Sequence, residues 1–191
     1  MIENMHLPPL SILSAIWGVA ELCMAVKRHS KSGANSKDRG SLPLIWIVCL
    51  ASVWLGIFLA GRLRSWELPS PHTLYRIGYW LFVLGVIFRW YAIIYLGRFF
   101  TPNVVILEQH RLIDTGPYRF IRHPTYTGAL AAAMGAILAM GNLASLLVVL
   151  VPIFAVVLWR IRIEEAALVE AFGDQYRAYM QKTSRLIPLI Y

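Results

Sequence analysis

The chain has 191 residues, of which 58% are hydrophobic and only 15% charged; the mean hydropathy is +0.59 and the formal net charge +8. A soluble domain carries about 25% charged residues, so a water-soluble globular domain is excluded and the apolar residues, gathered into long runs, point to a bilayer. The two cysteines, Cys23 and Cys49, lie inside apolar runs; two such thiols define neither a disulfide framework nor a metal site, and no metal is expected.

The first run, residues 7–26, resembles a signal peptide in length. It lacks a basic stretch before it and a small-residue cleavage site after it, so it reads as a retained helix. The second (42–61) and third (74–97) runs are each long enough to cross a hydrocarbon core of ~30 Å at ~1.5 Å per residue. The stretch 29–40 between the first two is a polar connector. After a polar segment come 126–140 and 143–159, separated by Gly141 and Asn142, a natural turn between antiparallel helices. The first of this pair is short for a full crossing. These elements predict an all-α integral membrane protein with about five transmembrane helices, organised as a single domain over 1–191, with three helices in 1–97 and a motif-bearing region in 98–191.

Lysine and arginine set the orientation. Fourteen of the 18 fall in the 27–40 loop, the 98–124 segment and the part after residue 159. The positive-inside rule therefore predicts an external N-terminus and a cytoplasmic C-terminal segment. Topology accounts for the positive charge, and no nucleic acid partner is expected, because no basic patch is interleaved with solvent-facing aromatics.

The 98–124 segment and the C-terminal segment flank the same helical hairpin on the cytoplasmic side, so together they are expected to form a pocket. "NVVIL" (103–107) is a candidate extended piece, and "DTGPY" carries turn chemistry at Gly116 and Pro117. His123 precedes a proline, which pushes it toward extended geometry, and Pro124 suits the first turn of the fourth membrane helix. The N–H groups exposed at that helix start favour an anionic group. Arg119, Arg122, Tyr118 and Tyr126 fit both a site and an interfacial belt of headgroup anchors. Arg160 and Glu164 share a helix face at i, i+4, as an ordinary surface ion pair would, yet they stand at an arginine-rich membrane exit. Glu165 and Glu170 are expected to be solvated, and Gly173 to end the helix before a second one begins at Asp174. Glu21 and Arg89 lie within membrane helices; snorkelling to the interface, mutual pairing and a place in the site wall are all open to them.

In order, "HRLIDTGPYRFIRHPTYTG", a helical hairpin and "RIRIEEAALVEAFGDQYRAYMQKTSRLIP" resemble the isoprenylcysteine carboxyl methyltransferase family over roughly residues 98–190. Related phospholipid methyltransferases share the C-terminal motifs; the first three helices are similar only in being hydrophobic. The resemblance implies S-adenosylmethionine as methyl donor and a lipid-modified cysteine carboxylate as acceptor. It places His110, Arg111, Leu112, Ile113, Tyr118, His123, Pro124, Thr125, Tyr126 and Glu164 along the cofactor and Arg160 at the substrate. Ile113 stands where valine is common, and the acidic pair is shorter than in some relatives.

Those roles suit the chemistry. A sulfonium and an amino-acid headgroup need a carboxylate and aromatic faces, and in-line methyl transfer depends on alignment and exclusion of water more than on proton transfer. A carboxylate acceptor needs a cation, which an arginine supplies bidentately; an amine acceptor would gain nothing from one. Two other enzyme readings are a phospholipid N-methyltransferase and a NADPH-dependent membrane lipid or sterol reductase, the latter calling for a basic cluster that is not distinctive here. A non-catalytic scaffold predicts no cofactor binding at all. The expected partners are the lipidic acceptor and membrane lipids; neither the acceptor nor the oligomeric state is legible.

Overall fold

The structure, a computed structural model, describes residues 8–29, 41–100 and 112–188. Five long helices follow one another: α1 (Leu10–His29), α2 (Ser41–Arg62), α3 (Pro71–Leu96), α4 (Pro124–Leu138) and α5 (Leu143–Phe172), with a short α6 (Asp174–Lys182) after them. Among the described residues there is no strand, only isolated bridges. The protein is an all-α integral membrane protein, and α2, α3 and α5 are long and apolar enough to cross a bilayer. Side chains on the outer faces, among them Ile16, Trp54, Ile94 and Val151, are well over half exposed, as lipid-facing residues would be.

Close backbone contact explains why α3 and α4 lie together. Gly78 and Gly85 are spaced by two turns, as are Gly128 and Gly135, and the two pairs meet in antiparallel fashion. A Cβ on Gly85 would fall 2.5 Å from the Ala132 nitrogen, and one on Gly78 2.5 Å from the Gly135 carbonyl oxygen. Without a hydrophobic drive between helices in lipid, such small-residue seams and their dispersion contacts hold helices together. The second seam joins α2 to α5, where Gly56 faces Val149 and its carbonyl accepts a hydrogen bond from Ser145 Oγ at 2.7 Å.

The hairpin between α4 and α5 turns at Gly141, which has φ +63°, and Asn142. Asn142 caps α5 by accepting from Ser145 N at 3.0 Å, and it donates to Leu63 O at 2.9 Å, tying this turn to the end of α2. α1 packs on α3 and α4 through Leu10, Leu13 and Trp17, with the Trp17 and Phe82 rings 5.7 Å apart edge to face.

α5 runs well beyond the apolar stretch that ends at Trp159 and stops only at Gly173, whose φ of +55° allows the chain to turn into α6. The chain then returns to the start of α4. Ile121 and Ser184 form a parallel bridge, Arg122 N donates to Ser184 O at 2.8 Å, and His123 N donates to Arg185 O at 3.1 Å. Thr127 Oγ1 donates to Leu186 O, and Leu186 is buried against Ile137, Val157 and Ile161.

Candidate active site

Pro124 occupies the first turn of α4, after His123 at φ −124°, so the His-Pro step delivers His123 and Tyr126 to the side facing α5. On α5, Ile153, Val157, Arg160, Glu164, Leu168 and Phe172 recur every three or four residues. They form one stripe along a cavity of about 990 Å³. The stripe changes character along its length, apolar up to Val157, then cationic at Arg160, acidic at Glu164 and apolar again at Leu168 and Phe172.

Arg160 is 1% exposed and donates from Nε to the Tyr126 hydroxyl at 3.4 Å; that hydroxyl donates to Glu164 Oε2 at 3.1 Å. The two α5 charges therefore meet at a tyrosine from α4, rather than as a surface ion pair. Glu164 keeps 32% of its side chain exposed and lines the cavity. His123, 3% exposed, has Nδ1 4.0 Å from Glu164 Oε1 and Nε2 3.4 Å from Glu165 Oε1, the latter too poorly directed for a hydrogen bond.

Glu165 is not solvated, contrary to expectation. It is 5% exposed and accepts from Arg122 Nε at 3.0 Å and from Arg185 Nε and Nη2 at 3.0 and 2.9 Å. One register step along α5 turns it away from the cavity stripe and into the seam with the C-terminal segment. Arg122 also donates to the carbonyls of Met180 and Thr183, so it is a bracket for that segment rather than a headgroup anchor.

The polar end of the cavity is lined with rings. Gly116, at φ +57°, packs on the Tyr95 ring and leads into a 3-10 turn, Gly116–Arg119, that buries Tyr118. The Tyr118 hydroxyl donates to Ala92 O at 3.2 Å, and Tyr179 donates to Tyr118 O at 2.6 Å. Burial raises the phenols of Tyr118, Tyr176 and Tyr179 well above the ordinary tyrosine range, which keeps them neutral donors. Phe99, Phe100, Phe172 and Tyr176 complete this end.

Of the residues expected at the site, Leu112, Ile113, Tyr118, His123, Thr125, Tyr126, Arg160 and Glu164 all line the one cavity, while Pro124 is buried behind it. His110 and Arg111 lie outside the described residues, as does the 103–107 stretch. Sequence reasoning missed Phe99, Phe100 and Phe172. Phe172 was within reach, since it continues the Glu164–Leu168 stripe by one more turn. The other two needed the α3 terminus to be placed in space. Much of the remaining wall is apolar and comes from α1 and α2, through residues such as Ala15, Gly18, Trp46, Cys49 and Val53.

Helix arrangement and cavity together define an integral membrane protein whose helices enclose a cavity with charged, aromatic and apolar lining. Residues 73–175 match the family model described as phospholipid methyltransferase. The chain belongs to this methyltransferase family. It is 33% identical over 141 residues to protein-S-isoprenylcysteine O-methyltransferase B of Arabidopsis thaliana, covering 70% of this chain and 66% of that protein. With the protein-S-isoprenylcysteine O-methyltransferase of Schizosaccharomyces pombe it shares 38% identity over 114 residues, covering 56% and 46%. The solved structure of a eukaryotic intramembrane Ras methyltransferase, isoprenylcysteine carboxyl methyltransferase, superposes with a TM-score of 0.65 at 28% identity, covering 78% of this chain and 53% of that one. The chain thus spans about half to two thirds of the length of these relatives.

Proposed function

We propose that this chain transfers the methyl group of S-adenosylmethionine to the carboxylate of an isoprenylated cysteine or a closely similar lipid-linked acid. The observation that carries the reading is Arg160, buried where the apolar part of the cavity meets the polar part and sharing the Tyr126 hydroxyl with Glu164. The donor set suits the cofactor: a partly open carboxylate at Glu164 for its cationic groups, and the faces of Tyr118, Tyr176, Phe99 and Phe172 for the adenine and sulfonium. His123, Leu112, Ile113 and Thr125 line the same end, and His110 and Arg111 are assigned there by the family motif.

When bound, S-adenosylmethionine supplies an electrophilic methyl group. The chain's own residues bind, align and desolvate. Tyr126 holds Glu164 in one orientation by donating to it, which fixes where a cationic ligand group sits. Arg160 offers a fork that grips an acceptor carboxylate bidentately. A carboxylate has no proton to lose at neutral pH, so no general base is needed. The apolar walls of α2, α4 and α5 take the isoprenoid tail and keep water from the reacting atoms. The site faces the cytoplasm in this reading, with the N-terminus outside and 1–191 acting as one membrane domain, in accord with the placement of basic residues.

The family description favours one second reading, methylation of a phospholipid amine. Incubating purified protein with methyl-labelled S-adenosylmethionine and either an isoprenylcysteine acceptor or phosphatidylethanolamine vesicles distinguishes them. Mild alkali releases a methyl ester as labelled methanol and leaves a methylamine intact. Alkali-labile label on the isoprenylcysteine is expected; alkali-stable label in phospholipid alone would overturn the carboxylate reading.

A further inference from the structure

Glu21 of α1 and Arg89 of α3 sit within the helix bundle, about ten ångströms from the cytoplasmic end of α3 at ~1.5 Å per residue. They face each other and are little exposed. Arg89 Nε and Nη2 donate to Glu21 Oε1 and Oε2, both at 2.6 Å, and Trp17 Nε1 donates to Glu21 Oε1 at 3.0 Å. The remaining arm matters most. Arg89 Nη1 donates at 2.9 Å to the carbonyl of Thr125, in the first turn of α4 between His123 and Tyr126. Gly128, one turn on, lets the two backbones touch there, since a Cβ on it would lie 2.6 Å from Arg89 N. Both charged side chains line the cavity.

A buried ion pair in a membrane protein is an expensive way to join two helices. Apolar side chains of similar volume would do so as well or better, and Trp17 on Phe82 already joins these two. An apolar wall lacks one thing, a rigid donor aimed at the Thr125 carbonyl. The Glu21 carboxylate fixes the guanidinium plane through two parallel bonds, which leaves the third direction defined.

We propose that Glu21 and Arg89 are positioning residues for the site, holding the turn that carries His123 and Tyr126 at its working distance from Arg160 and Glu164. In this role they act through the turn and not on the acceptor. Arg89 acts through Thr125, and Glu21 acts through Arg89. The catalytic part of this inference rests on the methyltransferase reading above; the effect on the turn does not.

Four proteins are compared: wild type, Arg89→Lys, the apolar double variant Glu21→Met with Arg89→Met, and Val151→Ala on the lipid-facing side as control. 3-Fluorotyrosine at Tyr126 gives a fluorine resonance that reports the ring's surroundings with no ligand or turnover required. In parallel, kcat and KM are measured with the isoprenylcysteine acceptor, and melting temperature in detergent. Arg89→Lys keeps the charge but cannot hold Glu21 bidentately and Thr125 together. It and the double variant are expected to shift or broaden the resonance and lower kcat at least tenfold. Acceptor KM should change less than threefold, and the double variant should melt no lower than wild type. Unchanged resonance and kcat in Arg89→Lys, or in a folded double variant, would overturn the proposal. A moved resonance in a protein that methylates neither acceptor would uphold the positioning of the turn and overturn the function proposed above.

Discussion

Replacing Arg160 by alanine tests the proposed acceptor half of the site. The guanidinium is fully enclosed, and its polar neighbours include the Tyr126 hydroxyl and, across it, Glu164. Truncation leaves Glu164 and the aromatic rings of the cofactor end in place, and Tyr126 still donates to Glu164. At Tyr126 the resting protein therefore loses a long hydrogen bond, about 0.5–1.5 kcal/mol. Losing a bidentate, charge-assisted grip on an acceptor carboxylate in a dry site costs about 2–4 kcal/mol, or roughly 30- to 1000-fold in rate. The expected outcome is a collapse in turnover with S-adenosylhomocysteine affinity within a few fold of wild type. Arg160→Lys should recover only part of the loss, because a point charge does not reproduce the fork. Calorimetric titration of S-adenosylhomocysteine beside single-turnover methyl transfer reads both quantities. Full activity in Arg160→Ala, or equal losses in affinity and turnover, would refute the division of labour between Arg160 and Glu164.

Glu164→Ala should abolish cofactor binding and activity together. In wild type, S-adenosylhomocysteine at a hundred times its Kd should add about 2.7 kcal/mol of stability and raise the melting temperature, whereas NADPH should not; in the variant that rise should vanish. Gly85→Leu forces side-chain atoms onto the α4 backbone and should lower the melting temperature through overpacking of about 1–3 kcal/mol or more. Gly18→Ala, with open space around the new methyl, should leave it unchanged. Glu165→Ala takes the carboxylate from Arg122, which keeps its bonds to the Met180 and Thr183 carbonyls, and from the partly exposed Arg185. The loss should therefore stay below the about 3–5 kcal/mol of a fully broken buried pair, and limited proteolysis should then cut near Thr183–Leu186 first. A reporter fused after Tyr191 should be cytoplasmic and one before Met1 external; cytoplasmic signal from both would refute the orientation.

The helices were legible because apolar run length, Gly141–Asn142 and Gly173 are local signals, and each marks a boundary that the structure keeps. The extension of α5 beyond Trp159 followed from the same reasoning. The convergence of His123, Tyr126, Arg160 and Glu164 was legible from motif order, since the hairpin returns the chain to one side. Glu165 was not. Nothing local separates it from Glu164, and its burial depends on Arg185, twenty residues on, and on Arg122, forty-three residues back. The pairing of Glu21 with Arg89 stayed one alternative among three for the same reason, because it spans 68 positions and needs α1 placed against α3.

The return of residues 184–186 onto 121–127 also fixes a sequence of events during synthesis. The segment that seats Arg122 and His123 leaves the ribosome about sixty residues after the turn it holds, a delay of roughly 3–12 s at translation rates of about 5–20 residues per second. All five long helices are made before it arrives. The contact between the C-terminal segment and the start of α4 therefore closes only after the five long helices have been made.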